Sequence, residues 1–222
     1  MADLPGRSSF EQRMARILGR LLGAQMGRLL ELMGDPPSLD NVPADFWDQS
    51  GRELQAAIAP MVRDVYLTQA AEVLSDTPLG VEWGTVNTAA SEWAASASFD
   101  LIRGLNETSR RAVQQAVSRF FTDQQTIGDL REQLTGVFGP VRADMIASTE
   151  VTRAAVEGER ALIRDLERQG VQFVPTWRTS EDERVCPLCG PRADQAIMDG
   201  QYPPIHPRCR CWVTHEPVMT DG

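Results

Sequence analysis

The residue pattern predicts a mainly α protein, a multi-helix region followed by a small metal-stapled α+β module. Three observations carry that expectation. Apolar residues recur three or four apart from Phe10 to about Gln169, the spacing of one helix face. After Gly170 the period changes: Val171, Phe173, Pro175 and Trp177 alternate with polar or small neighbours, as in a half-buried strand. All four cysteines fall between Cys186 and Cys211, a clustering that favours a metal site over a disulfide framework.

The first helix is expected over 9–33, where Phe10, Met14, Ile17, Leu18, Leu21, Leu22, Leu29, Leu30 and Met33 form an apolar stripe. Gly19, Gly23 and Gly27 recur every four residues beside it and would let a second helix approach closely. Gly34-Asp35-Pro36-Pro37 breaks the chain. Asp40, Asn41 and Pro43 are start signals for a second helix running to about Leu74, with Pro60 expected to kink or divide it. Leu54, Ile58, Met61, Val62, Val65 and Val73 line its apolar face, and Thr77-Pro78-Leu79-Gly80 reads as a loop. A third helix is expected over 86–103, with Trp93, Ala97 and Leu101 inward. A fourth, capped by Asn106 or Thr108, carries Val113, Ala116, Val117, Phe120 and Phe121. Thr126 and Asp129 resemble a capping box opening a helix that ends at Gly139-Pro140. A last long helix spans about 141–169, stopped by Gly170. Strands are expected over 171–177, with Pro175 at a sheet edge, and over 210–216.

Composition narrows the function classes. The 222 residues are 42% hydrophobic, enough for a buried core. There are 31 acidic and 22 basic residues, every basic one an Arg, for a net charge of −9. That balance disfavours a protein coating nucleic acid over its whole surface. The most apolar stretch, 17–33, contains Arg20, Arg28 and Glu31, short of the ~20 apolar residues of a membrane span. No basic, apolar and small-residue regions stand in the order of a secretory signal, so the cysteines are expected in a reducing compartment.

The Cys/His pattern is Cys186-x2-Cys189, then His206-x2-Cys209 and Cys211. A Cys-x2-Cys turn aims two thiolates at one point, as tetrahedral zinc requires. Five candidates, Cys186, Cys189, His206, Cys209 and Cys211, exceed the four ligands of a structural site, so one should be left over. A redox dithiol at Cys186/Cys189 lacks a βαβ context. A zinc deaminase would place its His-x-Glu before the cysteine pair, and here both histidines follow it. A zinc-stapled nuclease needs a further catalytic set; His215-Glu216 is the sole neighbour and reads as solvated strand-end polarity. Arg178, Arg184, Arg192, Arg208 and Arg210 flank the cluster, offset by Glu181, Asp182, Glu183, Asp194 and Asp199. The expected division is 1–34 as an amphipathic partner-binding arm, 35–170 as a helical domain, and 171–222 as a zinc-binding module.

At these residues the chain resembles a known family. Trp177-x-Thr179-x-x-Asp182-Glu-Arg184-Val-Cys186-Pro-Leu-Cys189, then Pro203-Pro204-x-His206-Pro207-x-Cys209-Arg210-Cys211, is similar to the C-terminal signature of phage Mu F-like minor head proteins, the phage head morphogenesis family. The preceding helix, Arg142-Ala143-x-x-Ile146-Ala147-x-Thr149-Glu150-x-x-Arg153-Ala154, is similar too, and the resemblance covers about 128–213. The spacer Pro191-Arg192-Ala193-Asp194-Gln195-Ala196 departs from the family's usual Leu-Asp-Gly-Lys-Val. The resemblance implies a minor capsid component of a tailed bacteriophage acting in procapsid assembly near the portal, without catalytic turnover. Its implied location is the host cytoplasm during assembly and the capsid interior of the virion. Its implied partners are the portal or major capsid protein. A sister subunit and weak contact with packaged DNA are further candidates. Thr149 and Glu150, polar within an amphipathic run, are candidates to clamp the zinc module or a partner. The competing reading is a DNA-binding or zinc-stapled, nuclease-like DNA-processing head protein.

Overall fold

The computed structural model describes residues 3–75, 82–180 and 185–218. Five α-helices precede a two-stranded antiparallel sheet: α1 Arg7–Met33, α2 Phe46–Ser75, α3 Trp83–Thr122, α4 Ile127–Phe138, α5 Pro140–Arg168, β1 Phe173–Arg178 and β2 Trp212–Pro217. The chain is therefore mainly helical with a small sheet, as its periodicity predicts. The expected loop at 77–80 lies outside the described residues.

Contacts divide the chain into two compact units. The first comprises Met1–Glu11, Met61–Ala94 and Ser148–Gly222 and contains the Cys/His cluster; the second comprises Gln12–Pro60 and Ala95–Ala147. This division crosses α1, α2, α3 and α5 and does not fall at residues 34 and 170, where the sequence breaks lie. Helix length is the reason. At about 1.5 Å per residue a 40-residue helix such as α3 spans about 60 Å, roughly twice the diameter of a small domain, so its two ends bury in different cores.

In the second unit, Met14, Leu18, Leu22, Leu29 and Met33 of α1 are fully buried. The stripe is thus core, and 9–33 is not a free arm. A buried face three or four residues wide removes more apolar surface from water than an exposed one could. The glycine row does not receive a helix along its length: a Cβ at Gly19 would meet Ala143 at 3.8 Å, whereas Gly23 and Gly27 face open space.

α2 runs unbroken through Pro60. α3 joins the two helices expected at 86–103 and beyond Asn106. Its buried line, Val86, Ala90, Ala94, Ser98, Ile102, Leu105, Ser109, Val113 and Ala116, keeps a three-to-four spacing with no interruption. Asn106 and Thr108 are not caps. Asn106 donates Nδ2 to the Trp47 carbonyl at 2.9 Å, and Thr108 donates its hydroxyl to Gly104 O at 2.9 Å. Trp93, Ala97 and Leu101 sit half-buried one position off the core line, and Phe121 is exposed.

Local signals elsewhere act as read. Thr126 and Asp129 form a reciprocal capping box at the start of α4. Pro140 opens α5, where its missing N–H costs nothing. At the far end Gly170 takes a positive φ of 97°, its N–H bonds Glu167 O at 2.9 Å, and Val171 N–H bonds Leu166 O at 3.3 Å. That double bond pattern is a Schellman stop, which returns the chain toward β1.

Candidate metal centre

In the first unit β1 pairs with β2 so that Trp177 faces Val213, and both are fully buried. The outer edge of β1 takes up the spacer: Asp194 N–H bonds Trp177 O at 2.8 Å, Trp177 N–H bonds Gln195 O at 2.9 Å, and Ile197 N–H bonds Pro175 O at 2.8 Å. Pro175 has no N–H to offer on that edge and contributes its carbonyl alone. Trp177, Ile197, Val213 and Val156 of α5 then form one apolar cluster with Cys189, Cys209 and Cys211.

Two tight turns aim the donors. Cys189 N–H and Gly190 N–H both bond Cys186 O, at 3.1 and 2.9 Å, folding Cys186-Pro-Leu-Cys189 back on itself. Cys209 N–H bonds His206 O at 3.2 Å, and Arg208 between them takes a left-handed φ of 60°. The sulfurs of Cys186 and Cys189 lie 3.0 and 3.1 Å from His206 Nε2, and Cys189 Sγ lies 3.9 Å from Cys209 Sγ. Zn–S and Zn–N bonds of ~2.3 and ~2.0 Å imply S···S and S···N tetrahedral edges of roughly 3.8 and 3.5 Å; the Cys189–Cys209 separation of 3.9 Å is close to the first, and the sulfur–imidazole separations of 3.0 and 3.1 Å are shorter than the second. All five sequence candidates come together. They form two triads, Cys186/Cys189/His206 and Cys189/Cys209/Cys211, that share Cys189 and could hold a metal ion.

The imidazole is set in the tautomer a metal needs. His206 Nδ1 donates to Pro207 O at 2.7 Å, which leaves the Nε2 lone pair facing the two sulfurs. The thiols are not equivalent. A hydrogen bond from Cys211 brings Cys209 down to about 5, against the effect of its burial. Burial and the neighbouring Cys209 thiolate push Cys189 up to about 12. Cys211, donating to Cys209 and itself buried, is pushed up. Several thiolates cannot share so small a buried volume without a compensating cation, and a bound divalent ion reverses the balance.

The platform beneath the cluster is one face of α5. Thr149 Oγ1 accepts the Arg208 N–H at 3.0 Å, and Thr152 donates its hydroxyl to Cys209 O at 2.7 Å. Val156 joins the apolar cluster, and the Arg160 guanidinium stacks 4.0 Å from the centre of the Tyr202 ring. Residues 149, 152, 156 and 160 follow helical spacing, a signal present in the sequence, yet only Thr149 stands out there. Glu150 points elsewhere: it is buried and pairs with Arg153 at 3.3 Å.

The arginines around the cluster are mostly paired. Arg178 bonds Asp194, Glu216 and Thr214, Arg192 bonds Asp199 and Gln201, and Arg210 lies 3.7 Å from Glu11. Arg184 and the acidic residues 181–183 lie outside the described residues. His215 corrects its sequence reading: it is buried, with Nδ1 2.7 Å from Glu159 Oε1, while Glu216 is exposed. Among the described residues no helix is long and apolar enough to cross a membrane.

No protein-family model, no curated protein and no solved structure matches the chain.

Proposed function

We propose that this chain is a minor capsid, head morphogenesis protein of a tailed bacteriophage, and that its Cys/His cluster binds one structural Zn2+. The observation that carries the reading is the seating of α5 on the Cys/His loops through Thr149 and Thr152. The two separate stretches that resemble the Mu F-like signature pack against each other within one unit, which supports reading them together. The thiolate–imidazole donor set suits zinc, and a surplus of ligands, with Cys189, Cys209 and Cys211 buried and Cys186 and His206 half-buried, suits a closed structural site better than an open catalytic one. The set Cys186, Cys189, His206 and Cys209 combines the two x2 turns through Cys189, which lies 3.1 Å from His206 Nε2 and 3.9 Å from Cys209 Sγ, with Cys211 beside Cys209 as the fifth donor.

In this role the zinc site holds the Cys/His loops against α5 and the two-stranded sheet and supplies no reaction. Its partners are the portal or the major capsid protein. The DNA-binding alternative is weakened by the pairing of Arg178, Arg192 and Arg210, among the described residues, with carboxylates.

Coexpression with a tailed-phage portal and major capsid protein tests the reading. The chain is expected to sediment with procapsids, and elemental analysis to give one zinc per chain. Exclusion from particles would overturn the assembly role, and zinc-free protein with reduced thiols would overturn the metal assignment.

A further inference from the structure

Residues 3–11 belong to the same compact unit as the Cys/His cluster. Leu4 is buried, and Gly6 turns the chain with a φ of 67° just before α1. Arg7 is only 6% exposed, an unusual place for a guanidinium. Its charge is met by Asp3, which takes Arg7 Nε at 2.8 Å and Nη2. The remaining nitrogen, Nη1, donates to Thr152 Oγ1 at 2.8 Å. Thr152 in turn donates to Cys209 O at 2.7 Å. A continuous chain of hydrogen bonds therefore runs from Asp3 through Arg7 and Thr152 to the backbone of a candidate ligand. One turn later Glu11 Oε1 accepts from Ser148 at 3.4 Å and faces Arg210 Nε, the residue after Cys209, at 3.7 Å.

We propose that Asp3–Glu11 is a strap over the metal loop, with Arg7 and Thr152 as positioning residues for Cys209, so that metal occupancy and strap docking reinforce each other. The proposal rests on the metal reading above. The physical ground is that a hydroxyl can orient a carbonyl only while it is itself oriented. Thr152 has one proton, given to Cys209 O, and its accepting lone pair is held by Arg7. Losing the guanidinium frees the hydroxyl to rotate, and the loop carrying His206, Cys209 and Cys211 loses one of its anchors on α5 and keeps the Arg208 N–H bond to Thr149 Oγ1. Conversely, a loop without its ion no longer presents Cys209 O and Arg210 at fixed positions, and the buried Arg7 then loses the network that justifies its burial. Coupling of this kind is reciprocal by thermodynamic necessity.

Two measurements on the full chain test it. The first is amide hydrogen exchange across 4–11, with zinc bound and after chelation. Exchange there is expected to accelerate about tenfold or more when the metal is removed. The second is Co2+ titration, read by the thiolate-to-cobalt absorption, on the unaltered chain and on Arg7→Met, Thr152→Val and Thr152→Ser. Arg7→Met and Thr152→Val are expected to weaken Co2+ binding roughly tenfold, the usual size of an outer-shell effect, and Thr152→Ser to restore it. The Thr152 pair keeps the test decisive if Arg7→Met does not fold. Strap exchange independent of metal, or a Thr152→Val chain that binds Co2+ as tightly as the unaltered one, would overturn the strap alone. An unaltered chain that binds neither Co2+ nor Zn2+ would overturn the metal reading, and the strap with it.

Discussion

His215 on β2 and Glu159 on α5 meet at 2.7 Å, with both side chains almost wholly buried. The second carboxylate oxygen of Glu159 accepts from Gln69 Nε2 of α2 at 3.1 Å, so one carboxylate ties the sheet to two helices of the same unit. Removing one partner strands the other in a medium that cannot solvate it. Glu159→Ala and His215→Ala are each expected to lower the unfolding free energy by about 3 kcal/mol, measured by urea titration. The double variant is expected to lose clearly less than the sum, because the second substitution removes a group already stranded. Additive losses would show that the two side chains act independently.

Gly158 of α5 marks a close approach of α5 to α2, since a Cβ there would overlap the Tyr66 backbone carbonyl. Alanine ordinarily stabilises a mid-helix position by ~1 kcal/mol relative to glycine. Here the backbone of α2 would have to move, and overpacking of this sort costs about 1–3 kcal/mol. Gly158→Ala is expected to lower the midpoint of thermal unfolding, whereas Gly136→Ala, with open space at its Cβ, is expected to raise it or leave it unchanged. The reverse order would place the close approach elsewhere.

These two sites also show what the residue pattern conveys. The Thr126/Asp129 box and the Gly170 stop involve partners within five residues, so their identities announce them. The five metal-site candidates lie in two short turns and at Cys211 just beyond the second, and are equally legible. Asn106 and Thr108 mislead because cap-forming side chains can equally bond a distant carbonyl or their own preceding turn. His215 and Thr152 are illegible for the same reason in reverse. Each looks like solvated polarity until a residue more than fifty positions away supplies its partner, Glu159 for His215 and Cys209 for Thr152. The unit boundaries follow from contacts along helices, which no break in the sequence marks.

Loss of a first cysteine bears on how far the cluster stabilises its surroundings. Cys186→Ser removes one donor of the Cys186/Cys189/His206 triad. The apolar cluster of Trp177, Val156 and Val213 is built around Cys189, Cys209 and Cys211. Loss of the ion is therefore expected to expose Trp177 and to abolish exchange protection in β1 and β2, with the change spreading to the α5 face at 149–160. Tryptophan emission shifted to the red and a zinc content near zero are the expected readouts. A Cys186→Ser chain with native emission and full protection in β1 would show that packing alone sustains the sheet.

Glu150 gives a pH dependence of definite sign. Its carboxyl is raised above the ordinary value near 4.5 by burial, against the opposing pull of Arg153. The folded state therefore holds the proton more tightly than the unfolded chain. Between the unfolded value and the raised folded one, the native state binds more protons, so this group's contribution to stability falls as pH rises. Below the unfolded value both states are protonated, and the contribution is fully present. Above the folded value it has been lost, and the ionised group is a standing cost of burial. Glu150→Gln keeps the shape and removes the titration. The exposed half of the Arg153 pair contributes little, because solvent screens it. Glu150→Gln is accordingly expected to be more stable than the unaltered chain at pH 7, with the difference shrinking steadily as pH is lowered and becoming smallest near pH 4.5 and below. Paired urea titrations across that range, compared as differences, cancel the acid loss of metal common to both chains. A difference that stays constant with pH, or grows as pH falls, would show that Glu150 is solvated or fully compensated in the folded protein.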